Sequence, residues 1–349
     1  MARPGSYARY APKVKGKTIL VTGGTGSFGS AVVAQLLTLS PKRVIVFSRD
    51  EQKQFEMGNR FDDARLSFVI GDVRDRGAVD HAMEGVDYVF HAAALKQVVT
   101  GEFFPMELVK TNVLGSANVI HSAIDHGVAR VVVLSTDKAS SPVCVMGMTK
   151  ALMEREMIAT AHRGGGKTVV CATRFGNVLY SRGSVVPYLI DRMREGKSLT
   201  VTDPAMTRFL MTIPESLDLI LFALTSGKPG EIYIRKAPVA AVGDLVAAVA
   251  ELFSPRALVE TIGARPGEKT HEFLISAAEA RRARDHGAYY SIAPQIRGQA
   301  FPAYYFKGTG AAKIPAGGYS SGDATLLSRE EIKALLLSLP EVRAELAAR

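Results

Sequence analysis

The stretch KTILVTGGTGSFGSAVVAQLLTL (Lys17–Leu39) decides the fold before any other segment is read. It opens as a continuous apolar run, the pattern of a strand covered on both faces. TGGTGSFG then places Gly23, Gly26 and Gly29 at GxxGxxG spacing, and apolar residues at helical spacing follow. Strand, glycine turn and helix in that order open a βαβ unit. Glycines at these points allow a tight turn and let a phosphate approach the helix N-terminus. A glycine triplet alone is weak, because many turns are glycine-rich. Between a strand and a helix it predicts a dinucleotide site, with Thr25, Ser27 and Phe28 in the same turn.

Outward from this unit the pattern repeats. RVIVFSRD (Arg43–Asp50), LSFVIGDV (Leu66–Val73), DYVFHAAA (Asp87–Ala94), RVVVLSTD (Arg130–Asp137) and TVVCATRFGNV (Thr168–Val178) read as further strands between amphipathic stretches. They are apolar throughout rather than alternating. The expected fold class is α/β: a Rossmann-like parallel sheet with helices on both faces. After about Ser181 the rhythm loosens into short elements punctuated by glycine, proline and charge. That part is expected to form a smaller C-terminal α/β substrate-binding region, with some segments returning to the core. The expected organisation is a basic arm over 1–16, a nucleotide-binding domain over 17–180 and the substrate region over 181–349. VGDLVAAVAELF reads as a helix, and so does the tail, capped by Ser328 with Glu331 as its capping-box partner.

Bulk properties narrow the class of protein. The chain has 349 residues, 47% of them hydrophobic and 22% charged, as in an ordinary globular protein. No apolar run reaches the ~18 residues of a membrane span, and no signal peptide opens the chain. Two cysteines, Cys144 and Cys171, cannot build a disulfide framework, which points to a reducing cytoplasm. The net charge is +9, with Arg3, Arg9, Lys13 and Lys15 in the N-terminal arm. These cations lack an interleaved aromatic pattern or a recognition helix, so nucleic acid is not the expected partner. An anionic small substrate, and an arm packing on a neighbouring subunit, account for them.

The tip of the second strand discriminates between cofactors. Ser48 and Arg49 come first, then Asp50 and Lys53. A hydroxyl and a guanidinium suit the extra 2′-phosphate of NADP, while Asp50 leaves NAD open. Asp72 and Val73 stand where an acceptor and an apolar wall can hold adenine. Ala92, Ala93 and Ala94 are small enough to let a dinucleotide pass close.

The chemistry concentrates in LSTDKASSPVCVMGMTK (Leu134–Lys150). Thr136, Asp137 and Lys138 form a hydroxyl–acid–amine row at the C-terminal end of a strand, the edge where open α/β sheets bind ligands. An adjacent acid and base suit an elimination, one group removing a proton and the other protonating the departing oxygen. Lys150, on the helix that follows, is expected to reach the nicotinamide ribose.

These motifs together resemble the extended short-chain dehydrogenase/reductases. More narrowly, the chain is similar to bacterial UDP-N-acetylglucosamine 4,6-dehydratases that invert C5. TGGTGSFG, SRDE, GDVRD, HAAALK, KTNVLG, STDKAxxP, GNVxxSRGSVVP, MTRF and RPGEKxHE occur in family order and spacing over nearly the whole chain. The resemblance also bears on Met146, which stands where relatives carry the Tyr of a Tyr–x–x–x–Lys pair. One branch, used in capsule and O-antigen synthesis, has Met–x–x–x–Lys, and MGMTK, RFLM and GAYYSIAP fit it. Met146 then marks a subfamily, although a thioether cannot take the proton of the sugar 4-hydroxyl. Thr136, Lys138 or a water would have to relay it.

The implied reaction oxidises C4, eliminates water across C5 and C6, and returns the hydride to C6. Lys138 is the implied base and Asp137 the implied acid. A lysine base must be neutral part of the time, and burial beside cationic Lys150 or the nicotinamide is expected to lower its pKa. The resemblance places Asn112 and Ser135 beside the cofactor. It places Lys96, Asn177, Ser181, Arg182, Gly183, Ser184 and Val185 along the sugar and diphosphate, with Arg208, Arg265 and Glu268 at phosphate and uridine ribose. His271 and Glu272 lack a second ligand cluster and are read as structural, with no metal expected. A tightly held, recycled NADP, a UDP-sugar substrate and a homo-oligomer, hexamer or dimer, complete the expectation. Competing readings are a retaining 4,6-dehydratase, which tends to carry Glu in place of Lys138, a 4-epimerase, which usually keeps the Tyr, and a non-catalytic NADP-binding scaffold.

Overall fold

The computed structural model of the chain describes residues 6–161, 167–181, 183–295, 314–315 and 317–348. Nine strands form the main sheet: β1 (Thr18–Thr22), β2 (Arg43–Ser48), β3 (Leu66–Ile70), β4 (Tyr88–His91), β5 (Arg130–Thr136), β6 (Val169–Phe175), β7 (Ile232–Arg235), β8 (Ala283–Asp285) and β9 (Tyr289–Ile292). Their spatial order is β8-β9-β7-β6-β5-β4-β1-β2-β3. The seven strands from β3 to β7 are parallel, and β9 and β8 close one edge antiparallel. The apolar runs are buried because helices cover both faces. Two core clusters result, one including Leu20, Val89 and Val131 and the other Ile19, Val21 and Val132. β3 departs from the expectation. It is the sheet edge, only partly buried along its length, with Ile70 exposed.

The strand order reverses between β1 and β4. Their connections leave in opposite directions, which opens a crevice at the carboxyl ends. The glycine turn and Ala92–Ala94 meet there.

Beyond β6 the chain returns to the core repeatedly. Helix Ile213–Ser226 packs on β5, β6 and β7, and the β7–β9 strands extend the main sheet. The remaining segments build a separate apolar cluster around Leu189, Leu199, Val246 and Ile332. It includes the helix Val242–Phe253, whose bounds match the sequence reading. The tail forms two helices, Arg329–Leu337 and Pro340–Ala347, with the Ser328–Glu331 capping box present. Pro340 lacks the N–H that a continuous helix needs there.

The N-terminal arm does not reach outward over its described residues. It folds as a 3-10 turn, Ser6–Tyr10, and a short helix, Ala11–Val14, against this same chain. Val14 is fully buried; Tyr7 donates to the Pro214 carbonyl (2.8 Å) and Tyr10 to Asp218 Oδ1 (2.9 Å). Arg9 pairs with the same carboxylate, and Lys13 Nζ donates to the Thr225 carbonyl at 2.7 Å. These donors satisfy the buried Asp218 carboxylate from within the chain. Arg3 lies outside the described residues.

Candidate active site

The glycine turn is cut to a shape that no side chain could share. Gly23 adopts φ +67°, and a Cβ there would lie 2.8 Å from the Ala93 nitrogen. A Cβ on Gly29 would strike the Gly23 carbonyl and so part helix from strand. Phe28 packs edge-on to Phe90 and Phe175, fixing the first helical turn over the β4 and β6 strands.

A cleft of about 790 Å³ opens here. It is lined by Gly23, Thr25–Gly29, Ser48, Arg49, Asp50, Lys53, Asp72, Val73, Ala92–Lys96, Ser135, Thr136, Met146, Lys150, Ser181 and Gly183. The structure thus brings together nearly all the residues expected at the cofactor. Around the β2 tip, Asp50 caps the helix Glu51–Phe61 through Lys53 N and also pairs with the Lys53 ammonium. Arg49 lies 3.4 Å from Asp72, whose carboxylate is held below its usual range by the Arg74 guanidinium and backbone N–H despite partial burial.

Asn112 is not part of this cleft's wall. It is fully buried, and its amide accepts from Leu95 N (2.8 Å) while donating to Leu95 O (2.9 Å) and Thr149 Oγ1 (3.1 Å). It ties the backbone just past the β4 tip to the helix Val145–Thr160. Its neighbour Thr111, which the sequence reading missed, lines the cleft with a buried hydroxyl that has no hydrogen-bond partner among the described residues.

At the end of β5 the chain turns through Asp137–Ala139. Thr136 Oγ1 accepts from Lys138 N and donates to Asp137 Oδ1 (2.8 Å). Asp137 is 1% exposed, and its Oδ2 has no hydrogen-bond partner among the described residues. Lys138 Nζ sits 3.3 Å from Asp137 Oδ1 and 3.2 Å from Glu272 Oε1. The expected direction of its pKa is reversed. Burial alone would lower it, but the two carboxylates outweigh burial and the Arg208 charge, raising the ammonium above its ordinary value. Glu272 is the residue the sequence reading set aside as structural. Its HE position in RPGEKTHE was visible, but its contact with Lys138 was not.

Helix Val145–Thr160 runs close under this turn, and a Cβ on Gly147 would collide with the Lys138 carbonyl. Met146 is buried beside Leu108 and Cys144, its thioether forming an apolar wall. One turn on, Lys150 Nζ donates to the Leu134 carbonyl (2.8 Å), and burial pushes its pKa down to about 8 against the opposing pull of Glu154. Ser135 lines the cleft, but its hydroxyl is donated to Glu154 (2.6 Å). Both cysteines are buried thiols.

The expected substrate residues divide. Lys96, Ser181 and Gly183 line the cleft, the last at φ +73°. Asn177, Ser184, Val185, Arg208, Arg265 and Glu268 are not part of its wall. Asn177 Oδ1 and Ser184 Oγ are nevertheless buried without hydrogen-bond partners among the described residues. Arg208 donates to the carbonyls of Thr207 (2.8 Å) and Thr270 (3.2 Å), and its charge reaches Lys138. Glu268 accepts from Arg265 N and lines a neighbouring pocket of about 590 Å³ with Lys269 and His271. Arg182 lies outside the described residues.

Comparison with known proteins agrees with this geometry. The family model described as "Polysaccharide biosynthesis protein" matches residues 19–294. A UDP-glucose 4-epimerase of Rickettsia felis is 47% identical over 335 residues, covering 95% of this chain and 98% of that protein. Among solved structures, Pen from Bacillus thuringiensis superposes with TM-score 0.85 at 37% identity, covering 93% of this chain and 98% of the other. DesIV, a dTDP-glucose 4,6-dehydratase from Streptomyces venezuelae solved with NAD bound, gives 0.67 at 26%, covering 72% and 86%. The chain belongs to the polysaccharide biosynthesis protein family and is an enzyme of the nucleotide-sugar epimerase/dehydratase class on an extended short-chain dehydrogenase/reductase fold. No helix among the described residues is long and apolar enough to cross a membrane.

Proposed function

We propose that this enzyme is a UDP-N-acetylglucosamine 4,6-dehydratase that inverts C5. The observation that carries the reading is the Asp137–Lys138 ion pair at the end of β5, directly after Thr136 on the wall of a cleft whose Tyr position is Met146. An epimerase needs one proton acceptor at the 4-hydroxyl and has no use for an acid–base pair further along the sugar. C4 oxidation releases the 4-hydroxyl proton in either reaction; Met146 cannot take it, so Thr136 or a water relays it, and the acid–base pair is what favours the dehydratase.

A bound nicotinamide cofactor supplies hydride uptake from C4 and hydride return to C6. The residues fit that group: Gly23 and Gly29 admit no Cβ, Thr111 presents an orphan hydroxyl, and Lys150 is charged enough below about pH 8 to hold a ribose oxygen. Ser48, Arg49 and Lys53 at the β2 tip favour NADP, since Asp50 is already engaged as a helix cap.

The 4-ketone acidifies the C5 hydrogen. At rest Lys138 is an ammonium and Asp137 a carboxylate, 3.3 Å apart. Transfer of one proton between them makes an amine and a carboxylic acid. The amine takes the C5 proton as the acid protonates the C6 hydroxyl, so the C5–C6 double bond forms and water departs. The original ion pair is restored, and all charges balance.

The 4-epimerase reading rests on the names of the Rickettsia relatives. Mass spectrometry of the nucleotide sugar after incubation with the enzyme separates the two. A dehydratase product is lighter by one water, and an epimer has unchanged mass.

A further inference from the structure

Lys138 lies between two carboxylates, and one of them arrives from far along the chain. Glu272 precedes the strand Phe273–Ser276, and its backbone is pinned on both sides by Ser321: Glu272 N donates to Ser321 Oγ, and Ser321 N to Glu272 O, each at 2.8 Å. Its side chain is 2% exposed and points one oxygen at Lys138 Nζ (3.2 Å) and the other at Lys269 Nζ (3.2 Å). Lys269 is itself anchored to the Ser140 carbonyl at 2.8 Å, just past the catalytic turn. The charged groups facing Lys138 are therefore Asp137 on its own turn, Glu272 from this segment and Arg208 from strand Thr207–Met211.

We propose that Glu272 is the positioning residue for Lys138, holding its ammonium beside Asp137 and setting how the proton is shared between them. This rests on the reading of Lys138 as the C5 base. Glu272 stabilises the ammonium formed when Lys138 receives the C5 proton, which makes the amine a stronger base. Lys269 on the far side fixes the direction in which Glu272 points, with its nearer oxygen toward Lys138. The buried carboxylate is thus part of the chemistry of the turn rather than a surface ion pair.

The test reads Lys138 without substrate. Competitive acetylation with acetic anhydride across neutral to alkaline pH, followed by peptide mass spectrometry, gives the labelling midpoint of this lysine. In the native enzyme Lys138 should label at higher pH than exposed lysines. In Glu272→Gln the midpoint should fall by about one pH unit or more, the size of effect expected on losing a neighbouring opposite charge. Glu272→Asp, which withdraws the carboxylate by one methylene, should shift it less and serves if the Gln variant does not fold. The acidic limb of C5 deuterium exchange should move to lower pH with the midpoint. Unchanged midpoints in the variants would overturn the role given to Glu272. A native enzyme that exchanges no C5 hydrogen would instead sink the dehydratase reading, while the labelling still judges Glu272.

Discussion

At the scale of single residues, the charge of Lys138 follows from its neighbours more than from its depth. Two carboxylates hold a proton that burial would otherwise expel. Replacing Lys138 with Met should cut turnover by roughly 10²–10⁴, the usual contribution of a positioned base. Hydride transfer from C4 should survive, visible as nicotinamide absorbance on adding substrate to cofactor-loaded variant. Met146→Leu should keep turnover within about threefold, because it preserves an apolar wall of similar volume; a collapse of activity would mean the thioether does more than fill space. The Asp137–Lys138 pair was legible in the sequence because its members are adjacent and end a strand. Glu272 was not, because only the return of a distant segment brings it to the turn. The bonds of Asn112 to Leu95 and Thr149 were not legible either, since motif spacing does not say which way a side chain points.

Among elements, the helix Val145–Thr160 carries Met146 and Lys150 and must keep its register on the sheet. A buried ion triad does this. Arg174 on β6 reaches Glu154 on that helix at 2.6 Å and Glu279 on the short helix Ala277–Ala280 at 2.9 Å. Burial alone would raise the Glu279 pKa, but Arg174 and the Ser276 donors bring it down to about 2 from an ordinary value of 4.5. A depressed carboxylate stabilises the fold above its unfolded pKa and loses that contribution as pH falls toward the folded one. Glu279→Gln should therefore lose roughly 3 kcal/mol at neutral pH by urea unfolding, the equivalent of such a shift. The deficit should close as pH drops from about 4.5 toward 2; a constant deficit would show that packing, not charge, is at stake. The sequence revealed the strands and helices that hold this triad, because periodicity survives in each. It did not reveal the triad itself, whose three members come from separate elements.

For the whole molecule, the parallel core and its crevice follow from the first strand–turn–helix unit repeated outward. The C-terminal half was harder to read because its strands are short and join four different sheets. The arm belongs to this scale. Tyr10, Val14 and Arg9 close over helix Ile213–Ser226, and Asp218 on that helix also accepts from Arg235 at 2.9 Å. Removing residues 1–16 should cost about 3 kcal/mol or more, from the lost apolar burial and an exposed acidic cluster. The loss should appear as a lower denaturant midpoint with no change of assembly size in light scattering. Dissociation of an oligomer at unchanged stability would instead return the arm to a neighbouring subunit.

The most direct test of the account is proton NMR of the purified protein with UDP-N-acetylglucosamine in D₂O, without added cofactor. The product should be a 6-deoxy-4-keto sugar carrying deuterium at C5, with couplings of the L-arabino configuration. An unchanged sugar even after NADP⁺ is added, or a 4-epimer that keeps its C6 hydroxyl, would contradict it.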